Sequence, residues 1–367
     1  MLGHLLQRFM FLVAISLAGY ATTIAAESTI KPLLPPLPAY PAPQKNPNPA
    51  DQGELYFSST TPGEYKWLLY PDDSVVPTTV KGTLFLPKQA SLQNPVPAMV
   101  ILHGSGGVQD SREMAYGREL AAQGIAGFVV HSYEARGVTE VTSYGERVTL
   151  VTDADEVADA YAALKFLNRH PAIRADRIGV MGFSYGGMAT RAALDQRIYD
   201  TQAEGVAPFA LHLDYYGPCH FDLQTTETTG APLYSLRGAE DGSNDLVACA
   251  LLEQKLRQAG SPVGSHIFPS AGHAWEMERT RAFVSTLNPA PCHQILTADG
   301  NWIINGTFLD LSDARTREDK YHLRQRVLKH MKDQCMSDGY IIGQDKQVHK
   351  LSNDLLKILI NRHLLAE

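Results

Sequence analysis

The sequence has no excess of basic charge: 32 Lys and Arg stand against 39 Asp and Glu in 367 residues, a net charge of −7. No broad positive field is therefore on offer to a nucleic-acid backbone or an anionic membrane, and nucleic-acid binding is disfavoured. Cys-x-x-Cys and His-Glu-x-x-His spacings are missing, so no metal site is expected. After residue 26 no apolar run reaches the roughly 20 residues that span a bilayer. The glycine-rich stretch 104–107 lacks the Lys-Ser/Thr end of a phosphate loop and the Gly-x-Gly-x-x-Gly spacing of a dinucleotide site. What is present is a 44% hydrophobic composition, enough for a sizeable core.

His4 and Arg8 precede an uncharged run from Phe9 to Ala26 that ends in small residues. This pattern predicts a signal peptide over 1–26, cleaved after Ala25 or Ala26, with an uncleaved membrane anchor as the alternative. The expected location is periplasmic or secreted, with no stable membrane insertion once the signal is removed. Eight prolines lie between Lys31 and Ala50. They forbid helix and disrupt sheet, so 27–52 reads as a proline-rich linker rather than a ligand for a proline-reading domain.

From Gly53 onward short apolar runs alternate with amphipathic ones. Strands are expected at 54–58, 80–87, 98–103, 126–131, 178–182, 210–215, 233–238 and 266–268, and helices at 111–123, 152–168 and 246–259, the second capped by Asp153 with Glu156. Several strands are continuously apolar, as in Ala98-Met99-Val100-Ile101-Leu102. The pattern predicts an α/β fold over 53–367: a mostly parallel central sheet with helices on both faces and an antiparallel edge made by the first two strands. A small hairpin insert at 276–317, built around Asp299-Gly300, interrupts the rhythm before the C-terminal helices. It is read as a structural flap, with a mobile lid as the alternative.

The strand ending at Met181 runs into Gly182-Phe183-Ser184-Tyr185-Gly186-Gly187 and then a helical stretch. A serine on such a turn projects above the sheet, and the N–H of Tyr185 points toward a developing oxyanion. His103-Gly104-Ser105-Gly106-Gly107 follows another strand and offers the N–H of Ser105 as a second oxyanion donor. An activated serine needs a base and an orienting acid, which in this architecture follow in the order acid, then histidine. Asp241, in Gly238-Ala239-Glu240-Asp241-Gly242, is the first choice of acid, with Glu240, Asp245 and Asp214 as rivals. His273, in Gly272-His273-Ala274-Trp275, is the expected base, while His103 and His131 are expected to shape the site.

Together with Ser132-Tyr133-Glu134-Ala135-Arg136-Gly137, these motifs resemble the dienelactone hydrolase-like branch of the α/β-hydrolase superfamily over about 53–275 and the final helices. The resemblance implies carboxylic-ester hydrolysis through a nucleophile, His and Asp, on a small-molecule ester, without metal or organic cofactor. Ser184 stands where that family carries a cysteine, and Gly104 where it carries a glutamate, which favours a serine esterase. Kept open beside it are a prolyl-oligopeptidase-like peptidase, a polyester or lipid hydrolase, an acyltransferase, and a binding protein on a hydrolase fold. Arg136 either orients a substrate carboxylate from the rim or anchors its own loop in a salt bridge.

The four cysteines all lie in the part expected to be exported, where an oxidising compartment lets them pair. Cys219 and Cys249 both fall near the sheet's C-terminal rim, whereas Cys292 begins the insert and Cys335 ends a late helix. Cys219–Cys249 and Cys292–Cys335 are therefore expected out of three connectivities, with free buried thiols as the alternative.

Overall fold

The computed structural model describes residues 34–203 and 205–366, so the expected signal peptide (1–26) and residues 27–33 lie outside the described part. The strands are β1 (Gly53–Thr61), β2 (Val76–Phe85), β3 (Val96–Leu102), β4 (Ala126–Val130), β5 (Ile173–Phe183), β6 (His212–Tyr215), β7 (Phe221–Asp222), β8 (Leu233–Gly238), β9 (Val263–Phe268), β10 (Ala282–Asn288), β11 (Gln294–Leu296), β12 (Trp302–Ile304), β13 (Thr307–Leu309) and β14 (Ser337–Ile342). The helices are α1 (Tyr65–Leu69), α2 (Ala115–Ala122), α3 (Tyr144–Leu150), α4 (Asp153–Asn168), α5 (Tyr185–Ala192), α6 (Gln196–Ala203), α7 (Leu246–Gln258), α8 (Arg317–Gln334) and α9 (Lys346–Ile360).

Eight strands form the main sheet in the order β1-β2-β4-β3-β5-β6-β8-β9. β1 and β2 pair antiparallel, as does β2 with β4, and every later pairing is parallel. β3 is buried at every position, which is why it reads as an unbroken apolar run. Helices cover both faces: α4 and α5 on one, with Val157, Leu164 and Ala189, and α2 and α9 on the other, with Leu120, Leu356 and Leu359. All eight strands read from the sequence are present, with ends shifted by up to a few residues.

Three expectations need correction. The cap of α4 is Thr152, whose side chain accepts from Asp155 N–H while the Asp155 carboxylate accepts from Thr152 N–H; Asp153 and Glu156 are buried in the first turn instead. The insert is larger than 276–317. Its hairpin β11–β12 forms as read, but it sits in a four-stranded sheet with β13 and, in parallel, with β7, while β10 reaches forward to pair with β14. Finally, the proline-rich segment is no free spacer from residue 34 on. Gln44 N–H donates to Tyr56 O at 2.8 Å, the Tyr40 and Tyr56 rings meet at 5.0 Å, and Arg317 donates to Pro35 O. Proline's fixed φ suits it to lie extended over a surface without a ladder of its own.

Both expected disulfides are formed, Cys219–Cys249 and Cys292–Cys335, and no cysteine is left free. No helix among the described residues is long and apolar enough to cross a membrane.

Candidate active site

Ser184 sits between β5 and α5 with φ = 54° and ψ = −106°, a conformation that costs energy for a residue with a side chain. The turn is possible only because its neighbours are small. A Cβ on Gly182 would lie 2.1 Å from Gly186 O, and one on Gly186 would lie 2.7 Å from Leu102 O. The Ser184 N–H donates to Tyr215 O and the Gly186 N–H to His103 O, pinning the turn to β6 and to the end of β3.

His273 Nε2 lies 2.9 Å from Ser184 Oγ, and its Nδ1 lies 2.7 Å from Asp241 Oδ2. Asp241 is 2% exposed and His273 4%. The carboxylate accepts at Oδ1 from the N–H and hydroxyl of Ser243, at 2.9 and 2.6 Å, and at Oδ2 from Asn244 Nδ2 at 2.8 Å. Burial pushes the Asp241 pKa up, but His273 and the Ser243 donors outweigh it and hold it below the usual carboxylate value.

The rival acids are engaged elsewhere. Glu240 is exposed and paired with Arg281, Asp245 caps α7, and Asp214 is buried between Arg191 (2.6 Å) and Arg237 (2.9 Å).

Tyr185 opens α5, where its N–H has no acceptor within the helix, and Ser105 lines the same cavity as Ser184 and His273. His103 supports that turn from behind. Its Nε2 accepts from Tyr133 N–H, so Nδ1 carries the proton and faces Gly104 O at 2.9 Å and Glu156 at 3.1 Å. Burial lowers its pKa to about 4, which keeps the ring neutral. His131, just past the end of β4, is bonded to Thr83 of β2 at 2.9 Å, and burial likewise lowers its pKa to about 4.

Arg136 is the site residue that the structure places elsewhere. It is buried, its Nη1 and Nη2 donate to Asp159 at 2.7 and 3.0 Å, and it does not line the Ser184 cavity. It borders a separate groove with Thr61, Thr152 and Arg317. The loop-anchoring salt bridge is thus the reading that stands.

Two supports were not legible in the sequence. One is the Ser243–Asn244 pair, for which the polar turn Asp241-Gly242-Ser243-Asn244 was the available signal. The other is β14: His273 N–H donates to Ile341 O at 2.8 Å and Gly343 N–H to His273 O at 3.0 Å, while the Tyr340 ring lies 5.1 Å from the imidazole. The cavity at Ser184 encloses about 980 Å³, open solvent at its mouth included, and the insert with α8 forms much of its wall through Leu287, Trp302, Leu328, Met331 and Met336. Among the described residues no group of three or more His, Cys, Asp and Glu side chains is arranged to hold a metal ion.

A mostly parallel sheet covered on both faces, with a serine on a strained strand-to-helix turn and an acid and a histidine on later strand-end loops, defines the α/β-hydrolase class. Within that class, residues 80–294, more than half of the chain, match the dienelactone hydrolase family, and the chain belongs to it. It is a hydrolase of that family. A Bradyrhizobium protein named "Probable 2-oxo-3-(5-oxofuran-2-ylidene)propanoate lactonase" is 24% identical over 197 residues, 49% of this chain and 73% of the relative. The uncharacterised peptidase YtmA of Bacillus subtilis is 26% identical over 156 residues, 35% of this chain and 60% of the relative. Among solved structures, esterase 2 of Thermogutta terrifontis aligns with a TM-score of 0.44 and 14% identity, covering 53% of this chain and 80% of the esterase.

Proposed function

We propose that this protein is an exported serine hydrolase of carboxylic esters that works through Ser184, His273 and Asp241. The observation that carries the reading is the continuous contact from Oγ through the imidazole to the buried carboxylate, at 2.9 and 2.7 Å. Ser184 Oγ attacks the ester carbonyl as His273 Nε2 takes its proton, and Asp241 stabilises the imidazolium. The N–H groups of Ser105 and Tyr185 hold the tetrahedral oxyanion, each worth about 3 kcal/mol in the transition state. His273 then protonates the leaving alcohol, and water, deprotonated by the same imidazole, releases the acid from the acyl-enzyme. The two disulfides and the Phe9–Ala26 run support export.

The same groups would cleave a peptide, and one relative is called a peptidase. The cavity walled by the insert favours a small ester over an extended chain. Labelling by a fluorophosphonate should occur in the wild type and vanish in Ser184→Ala, with ester turnover falling by at least about three orders of magnitude. Labelling that survives in Ser184→Ala, or folded wild type that neither labels nor turns over esters, would overturn the reading. Peptide substrates assayed alongside separate the two hydrolase classes.

A further inference from the structure

The proposed nucleophile stands between two cavities whose walls differ. Ser105, Tyr144, Ser184, His273 and Tyr340 line both, so the two meet at the reacting atoms. The inner cavity encloses about 980 Å³ and the outer about 1070 Å³, each with open solvent at its mouth included. The inner one is walled by α5, the insert and α8; the outer one is bordered by Gly104 and Gly106 of the oxyanion turn and by Ala274 and Met277 past the histidine.

Most of the surface left accessible in the inner cavity is apolar. Met188 on α5, Leu287 on β10, Leu328 on α8 and Met336 just past α8 supply it, and the last three are only half-buried, so a ligand has side-chain surface to cover. The ionisable groups in the same wall are matched among themselves. Glu64 accepts from Arg324 Nη1 at 2.7 Å and from Trp302 Nε1 at 3.0 Å. Asp153 accepts from the Tyr65 hydroxyl at 2.8 Å, and its pKa is raised to about 6, chiefly by burial. A carboxylate entering here would give up its water beside two carboxyl groups and a guanidinium that Glu64 already neutralises, which is costly. An alkyl or aryl group loses nothing by the same transfer and gains for each carbon it covers.

The outer cavity is polar, with Gln109, Arg147, Arg279, Ser285 and Thr286 in its wall. Arg147 is fixed by backbone carbonyls, its Nε donating to Thr142 O at 2.7 Å and its Nη1 to Gly106 O at 3.1 Å, while Arg279 is exposed. A substrate group lying there stays in water, so lengthening it adds little.

We propose that the ester straddles Ser184, with one limb, apolar and uncharged, held in the inner cavity and the other left in the outer cleft, and that Leu287, Leu328 and Met336 set the preferred length of the held limb. This rests on the hydrolase reading above and adds to it the substrate class: esters selected by one apolar limb and indifferent to the other.

The test uses two series with one limb kept minimal: methyl esters of linear acids from acetate to decanoate, and acetates of linear alcohols from methanol to decanol, with released acid as the readout. In one series kcat/KM should climb about threefold per methylene until the cavity is filled and then fall; in the other it should stay within about fivefold throughout. A carboxylate at the far end of the favoured limb should abolish the gain. Each profile is taken on one preparation, so the fraction of active protein cancels. Leu328→Trp, and Met336→Trp as a second variant, should move the optimum to a shorter limb in the favoured series. Two flat profiles, two equal climbs, an undiminished rate for the carboxylate-ended ester, or an optimum unmoved in both variants would overturn the proposal while Ser184-dependent turnover remains. Absence of turnover of every ester, with no Ser184-dependent labelling, would overturn the hydrolase reading and this one with it.

Discussion

Ser243 is no member of the proposed proton relay, yet it touches two of them. Its N–H and hydroxyl meet Asp241 Oδ1, and its oxygen lies 3.0 Å from His273 Nδ1. These donors are part of what holds the Asp241 pKa low against burial. A carboxyl depressed on folding adds stability above its unfolded pKa of about 3.9, and that stability is lost as the pH falls through the folded value. Ser243→Ala removes part of the depression. The variant should therefore be about 1–2 kcal/mol less stable than wild type at neutral pH, with the gap narrowing toward about pH 3. Urea denaturation at the two pH values checks this; a gap that does not change with pH would show that Ser243 acts by packing alone. Asp241→Asn should lower kcat by about four orders of magnitude, because the amide no longer holds the imidazole in the required tautomer. A kcat within tenfold of wild type would move the acid's role to another residue.

Among the elements, β14 braces the proposed base from outside the main sheet. Its Ile341 and the next residue past its end, Gly343, are the backbone partners of His273, and it is held in turn by β10. Asn288, the last residue of β10, joins these pieces, donating to Gly242 O at 2.8 Å and to Gly339 O at 3.2 Å while accepting from Ala290 N–H. Asn288→Ala leaves those carbonyls without their donor, at a cost of about 1–3 kcal/mol. Because the acid turn and the strand that braces the histidine both loosen, kcat should fall more than KM rises. Denaturation curves and steady-state kinetics on the same variant check the coupling. A destabilised protein with unchanged kcat would show that the strand contacts the histidine without positioning it.

At the scale of the molecule, the disulfides divide the work of holding the cavity. Cys219–Cys249 closes a separation of 30 residues between the loop after β6 and α7, and Cys292–Cys335 closes one of 43 between the insert and the end of α8. Removing the second pair as Cys292→Ala with Cys335→Ala should cost about 3–4 kcal/mol in the chain-entropy account. Leu328, Met331 and Met336 line the cavity close to that bridge, so turnover should become more sensitive to temperature as stability falls. Thermal unfolding of the paired variant beside wild type measures the loss. An unchanged midpoint would mean that β10–β14 and the apolar packing of α8 hold the insert without the bridge.

The motifs that hold the proposed Ser184, Asp241 and His273, the tight turn at Gly182–Gly186 and all eight main strands were legible in the sequence itself. Each is a local matter, set by sterics between near neighbours or by the period of apolar residues along a few turns or strands. The cysteine pairing could also be read, because the strand order brings each pair to one region. Tertiary structure alone decided that Arg136 serves Asp159, that the proline-rich segment lies on the body from residue 34, that β14 braces the loop of His273, and that Glu64 meets Arg324 across 260 residues of chain. These are contacts between groups with no periodic signal and no shared element. Their partners are chosen by which buried charge or open hydrogen bond the folded chain happens to bring within reach.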